Sequence, residues 1–229
     1  MEELKKWGRN LQSTDIKECI AKRDTPACED DIFNAFKGLP PEKVKVLIIG
    51  QDPYPDVDRA HGLAFSFKNN QKAEDSLQNI FNKIEKELGI ANKNTNLECW
   101  RDRGVLLLNT ALTYKKGEQD KHIKNWKTFV NKIISKLLSI KRDENNPLVI
   151  MLWGCKANKL KNLSFKGTKE KDTSYYAKKY PHIKIIRCSH PSYNWEAYKN
   201  SIFNGEVPSF KDCVIFKDDL LKGFDWSTD

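Results

Sequence analysis

The chain has 229 residues, and 40 Lys and Arg against 31 Asp and Glu give it a formal net charge of +9 at pH 7. That length makes one large domain or two small ones and can bury a substantial core, while 6 Trp, 7 Tyr and 11 Phe exclude a disordered chain. No apolar run approaches the ~18 residues of a membrane span, and the opening MEELKKWGRN lacks the apolar stretch of a secretory signal. The six cysteines (Cys19, Cys28, Cys99, Cys155, Cys188 and Cys213) form no C-x-x-C pair. They are expected to be unpaired thiols rather than ligands of a structural zinc or an iron–sulfur cluster. A basic balance suits a polyanionic partner such as nucleic acid, although the lysines are spread along the chain.

In chain order, the first 40 residues are expected to be largely helical. Residues 44–49 (VKVLII) then form the first of four short apolar runs. Residues 75–88 place Leu77, Ile80, Phe81, Ile84 and Leu88 on one helical stripe that stops at Gly89. The second run is 105–108 (VLLL), followed by a helical stripe over 126–140. The third is 148–153 (LVIMLW), with a shorter helical pattern after Gly154, and the fourth is 183–187 (IKIIR). Continuous runs of Val, Ile and Leu predict strands buried on both faces, and their alternation with helices predicts βαβ units. No Pro/Gly/Ser-rich linker divides the chain. The expectation is an α/β fold: one domain over 1–229, in three layers, with a central four-stranded, mainly parallel sheet flanked by helices. The 126–140 stripe is expected in the core, and His122 and His182 at the surface.

Polar segments follow every predicted strand. They are Gln51-Asp52-Pro53-Tyr54-Pro55, Asn109-Thr110, Gly154-Cys155 and Ser189-His190-Pro191-Ser192. Ligands of open α/β sheets bind outside the carboxyl ends of the strands, so an Asp, an Asn and a His are expected to converge there. No phosphate loop, dinucleotide fingerprint, nucleophile elbow or deaminase zinc pattern occurs. Taken singly, each residue also fits a plainer role: Asp52 a turn, Asn109 a strand-end cap, His190 a loop residue and Phe65 the core.

Together these segments are specific. GQDPY at 50–54, HGLAFS at 61–66, LLLNT at 106–110, LWG at 152–154 and HPS at 190–192 resemble the motifs of the family 1 uracil-DNA glycosylases, in the same order from about Val44 to Phe216. The resemblance implies hydrolysis of the N-glycosidic bond between uracil and deoxyribose in DNA, which releases uracil and leaves an abasic site. It implies no metal or organic cofactor and no strand cleavage. Asp52 matches the carboxylate that activates water, and His190 the imidazole that stabilises the uracil anion. Asn109 matches the amide that reads the uracil edge, Tyr54 the ring packed against C5, and Phe65 the ring on which uracil stacks. Gln51 matches a backbone contact to the base, while Ser76 and Ser192 match hydroxyls that meet phosphates. His61 matches the motif with either a structural or a catalytic place.

The chain departs from the family pattern at four places. Pro55 replaces a usual His after GQDPY. Ala73-Glu74-Asp75 replaces a Pro-rich loop and brings two carboxylates toward a DNA backbone. Cys155 stands in a usual Gly-Ser loop. Tyr193-Asn194-Trp195 follows HPS, where the family usually has Pro-Leu, whose Leu fills the gap left by the flipped base. On this pattern Tyr193 or Trp195 would replace that wedge, or single-stranded DNA would be preferred; Asn194, at the Leu position, is a poor wedge. The resemblance makes uracil-containing DNA, single- or double-stranded, the partner, and it admits a protein inhibitor that mimics the charge of DNA. A monomer off the membrane is expected, in the cytoplasm or, according to the host, in a nucleus or virus. The alternatives are a non-catalytic DNA- or protein-binding module on the same fold and a glycosylase for another lesion.

Overall fold

The computed structural model describes residues 2–7, 13–144, 146–154, 157, 180–192, 209–211 and 213–228. Its centre is a sheet of four strands, β1 (Val46–Gly50), β2 (Val105–Asn109), β3 (Leu148–Trp153) and β4 (Ile183–Cys188), in the order β2-β1-β3-β4. All three pairings are parallel. The chain leaves β1 for one neighbour and returns to the other side of it with β3, which makes the gap between β1 and β3 the switch point of the sheet. The expected strands therefore form, within two residues of their predicted ends.

Alternate side chains of each strand feed two separate cores, as the pleat requires. Leu47, Ile49, Leu106, Leu108, Ile150 and Leu152 pack with the N-terminal helices α1 (Glu2–Lys6) and α2 (Thr14–Ala21), and with the long α5 (Gln119–Glu144). Val46, Ile48, Val105, Leu107, Val149 and Met151 pack on the other face. Their partners there are α3 (Asp75–Leu88), α4 (Glu98–Asp102) and the C-terminal segment, whose Trp226 stands edge-on to Trp100 at 5.2 Å. These are the three expected layers.

The structure corrects three expectations. β4 is not buried on both faces: it is one of two edge strands, and unlike β2 at the other edge it leaves Lys184 exposed and Ile185 and Arg187 half-buried. α5 runs well beyond the apolar stripe at both ends, because its terminal turns are polar and carry no hydrophobic period. His122 is not at the surface but 2% exposed; its Nδ1 lies 3.1 Å from the Thr113 carbonyl and 2.9 Å from the Thr113 hydroxyl. His182 is half-buried, with Nε2 3.1 Å from the Lys141 carbonyl. A lone His in a polar stretch gives no sign that a backbone carbonyl awaits it. The helical pattern after Gly154, and Cys155, lie outside the described residues; the other five cysteines are free thiols.

A buried ion pair ties the C-terminal segment to α3. Lys83 and Glu87 sit one turn apart, 3.1 Å between charged atoms, with side chains 7% and 8% exposed. The Glu87 carboxylate also accepts from the backbone N–H groups of Ile215, Phe216 and Lys217, and Lys83 donates to the Lys211 carbonyl at 2.7 Å. Glu87→Ala would strand a buried ammonium and three amides at once. It should cost roughly 3–5 kcal/mol of stability in denaturant unfolding, with Glu87→Gln losing less.

Candidate active site

The segments at the carboxyl ends of three of the four strands build one cavity of about 240 Å³. It is lined by Gln51, Asp52 and Tyr54 after β1, by Asn109 at the end of β2 and by His190 after β4. Phe65 and Ser76 line it as well. Drug-sized ligands occupy pockets of roughly 300–1,000 Å³, so this one suits a smaller body such as a single planar ring. Seven of the expected site residues thus meet in one place. Ser192 does not line the cavity, and Tyr193, Asn194 and Trp195 lie outside the described residues.

Backbone geometry fixes the amide. Gly50 pairs with Asn109 across β1 and β2, and a Cβ on Gly50 would overlap Asn109 Oδ1 and meet Ala64 Cβ at 2.8 Å. Glycine is what gives the amide its place. The pairing continues past the strand ends, where the Gln51 carbonyl accepts from the Thr110 hydroxyl at 2.6 Å and from the Ala111 N–H at 3.0 Å. Gln51's carbonyl is thereby committed to the protein.

The imidazole is fixed in tautomer as well as in position. The Ser192 N–H donates to His190 Nδ1 at 3.1 Å, which leaves the proton of the neutral ring on Nε2. Burial lowers the His190 pKa below its ordinary value, so the ring is neutral at neutral pH. Gly154, at the end of β3, has φ +84°, and a Cβ there would meet His190 Cβ at 2.9 Å. The third strand end therefore contributes room rather than a lining side chain.

Phe65 has φ +66°, a left-handed conformation that is costly for an aromatic residue and tends to mark functional sites. Its neighbours hold it there. Its carbonyl accepts from the Tyr54 hydroxyl at 3.3 Å, the Ala64 N–H donates to the Leu107 carbonyl at 3.1 Å, and its ring lies 5.6 Å from Trp153 and 6.0 Å from His190. Tyr54 stands edge-on to Phe67 at 4.9 Å, and its own carbonyl accepts from the Thr25 hydroxyl at 2.6 Å. Burial pushes its phenol pKa up, so it stays a neutral donor.

His61 is 3% exposed, lines the cavity and belongs to a polar network that runs behind it. Asn34 Nδ2 donates to the His61 carbonyl at 2.9 Å and stands 3.4 Å from Nδ1, while Nε2 lies 2.7 Å from the Ser66 hydroxyl. Arg101 closes the network on Asn34 and Glu98. Burial pushes the His61 pKa down to about 4, against the opposing pull of Glu98 and Asp31. Thr25, Asn34, Glu98 and Arg101 are supports that the sequence reading missed, since each is a single polar residue with no local pattern; Ser66 ends the HGLAFS motif, which does not show what its hydroxyl does.

Near the mouth, Glu74 is ion-paired to Arg59, which also lies 3.4 Å from Asp56 and 5.1 Å from the centre of the Phe67 ring. One of the two carboxylates expected to repel DNA is thus already paired. Among the described residues, no group of three His, Cys, Asp or Glu could hold a metal ion, and no helix is long and apolar enough to cross a membrane.

A parallel α/β sheet with a ring-sized cavity at the carboxyl ends of its strands defines a small-ligand site. Comparison with known proteins identifies the lineage: the chain belongs to the Uracil DNA glycosylase superfamily, whose profile matches residues 36–206. A uracil-DNA glycosylase of Chlamydia muridarum is 36% identical over 187 residues, 81% of this chain and 74% of that protein. Among solved structures, mimivirus uracil-DNA glycosylase superposes with a TM-score of 0.63 at 27% identity, over 83% of this chain and 67% of that one. A mimivirus UNG variant in complex with UGI gives 0.60 at 29% identity, over 77% and 61%.

The buried imidazole sets an acid limit on stability. His61 binds its proton only near pH 4 when folded but near 6.5 when unfolded, so the unfolded chain takes up more protons between these values and stability falls as pH falls through that window. His61→Asn should reduce the slope of unfolding free energy against pH there by roughly one proton, about 1.4 kcal/mol per pH unit. Denaturant titrations at pH 4.5, 5.5 and 6.5 read it directly.

Proposed function

We propose that the chain hydrolyses the N-glycosidic bond of uracil in DNA, with Asp52 and His190 as its catalytic residues. The observation that carries this reading is the convergence of Asp52, Asn109 and His190 on one ring-sized cavity. The carboxylate orients a water and accepts its proton as the oxygen bonds to C1′ of the sugar. Its charge also favours the oxocarbenium-like transition state. The C1′–N1 bond breaks and its electron pair leaves with uracil as an anion. His190 Nε2–H donates a hydrogen bond to O2 of that anion; a neutral imidazole suffices, and its fixed tautomer keeps the donor ready.

Recognition follows from hydrogen-bond pattern and shape. The Asn109 amide accepts from uracil N3–H and donates to O4. Cytosine reverses that pattern and leaves the amide unpaired in a buried site. Phe65 provides the stacking face. Tyr54 fills the space in which a thymine methyl would sit. With its carbonyl taken by Thr110 and Ala111, Gln51 meets the base through its N–H. Ser76 and Ser192 meet phosphates, and such contacts fix position without reading sequence. The target base must leave its stack to enter, at a cost of a few kcal/mol. A protein inhibitor that mimics DNA would cover the same mouth.

Incubation with a uracil-containing single-stranded oligonucleotide, followed by alkali cleavage of abasic sites, tests the reading. Release by the unmodified chain and a loss of about 10²–10⁴-fold in Asp52→Asn are expected; no release at any salt concentration would leave a non-catalytic binder. Tyr54→Ala should admit thymine, narrowing the preference for uracil by roughly 10- to 100-fold in competing-substrate assays.

A further inference from the structure

His190 and Ser192 have a second side. Behind them, between α3 and the segment after β4, lies another cavity of about 300 Å³. Along α3 it is lined by Asn79, Asn82, Lys83 and Lys86, and opposite them by Ser192 and Lys211. Among the described residues that line it are three lysines and no carboxylate. Lys83 is held by Glu87 and the Lys211 carbonyl, while the Lys86 and Lys211 side chains are exposed. Asn79 Nδ2 donates to the Pro191 carbonyl at 2.7 Å, pinning the wall between the two cavities to the helix. A recess whose described charged residues are all cationic, sharing a wall with the first cavity, has the chemistry to hold an anion.

We propose that this second cavity seats a phosphodiester of the DNA strand whose uracil occupies the first, a phosphate beyond those met by Ser76 and Ser192. The inference rests on the function proposed above. With the base in one cavity, the strand passes over the His190–Ser192 wall, and the nearest cationic recess along that path is this one. The contact would supply affinity and register but no base discrimination.

The test is the double variant Lys86→Gln with Lys211→Gln, both exposed and neither in the base pocket; unfolding curves check that the fold is kept. In uracil release from a single-stranded oligonucleotide, KM should rise on the order of 10-fold with kcat unchanged. The slope of log affinity for that strand against log salt should shrink by about 1. Oligonucleotides each carrying one neutral methylphosphonate linkage locate the contact. One flanking linkage should weaken the unmodified chain and add nothing in the double variant. An unchanged KM and salt slope, or the same methylphosphonate profile in both proteins, would overturn the proposal. A role for Lys86 confined to the C-terminal end of α3 would lower stability and leave KM alone, which also overturns it. Anisotropy binding of the same oligonucleotides reads the phosphate contact without catalysis, so an inactive chain would sink the glycosylase reading and not this one.

Discussion

The parallel pairing of β1 with β2 is the constraint on which the site depends. Parallel strands bring their carboxyl ends to one edge of the sheet, so the segments that leave them share one rim. The register sets Gly50 against Asn109, and the missing Cβ at 50 is the space the amide uses. A slip of one residue would turn Asn109 to the opposite face. The two hydrogen bonds to the Gln51 carbonyl extend the pairing beyond the last ladder residue, so Asp52 leaves a fixed point rather than a loose loop end. The buried apolar side chains of both strands, in two cores, hold that register.

Around this frame the polar groups are kept neutral or paired before any ligand arrives. His190 is neutral because it is buried, and its proton lies on Nε2 because an amide occupies Nδ1. His61, on the cavity lining, is held neutral by the same physics. Phe65 keeps a strained backbone because Tyr54, Trp153 and the contact of Ala64 with β2 surround it. A site of this kind needs little rearrangement to meet a developing anion, which is what electrostatic catalysis requires.

Charge is handled differently inside the cavity and outside it. The chain carries +9 overall, yet among the described residues the base cavity is lined by one carboxylate and no lysine or arginine. On the proposed function, a cation beside Asp52 would offset the negative charge that favours the cationic sugar. Lys83, Lys86 and Lys211 line the second cavity instead, beyond the His190–Ser192 wall. Arg59 takes up Glu74 at the mouth, so an acidic substitution in the loop before α3 leaves less net charge there than its sequence suggests.

The sequence by itself determined the strands, the stripe of α3, the three-layer class and the residues that line the cavity. Each of these has a local signature: a short apolar run, a helical period, or a motif in family order. It did not reveal what supports them. Thr25, Asn34, Ser66, Glu98 and Arg101 act through hydrogen bonds that include partners far away in the chain, and a lone polar residue looks the same whether its partner is water or a buried group. His122 was misplaced for that reason, and so was the far face of β4, since an edge strand differs from a central one only in its neighbours. Tertiary structure alone decided that Gly154 gives His190 its room, that Glu74 is paired, and that Ser192 faces a second cavity, because each depends on how segments distant in the chain pack together.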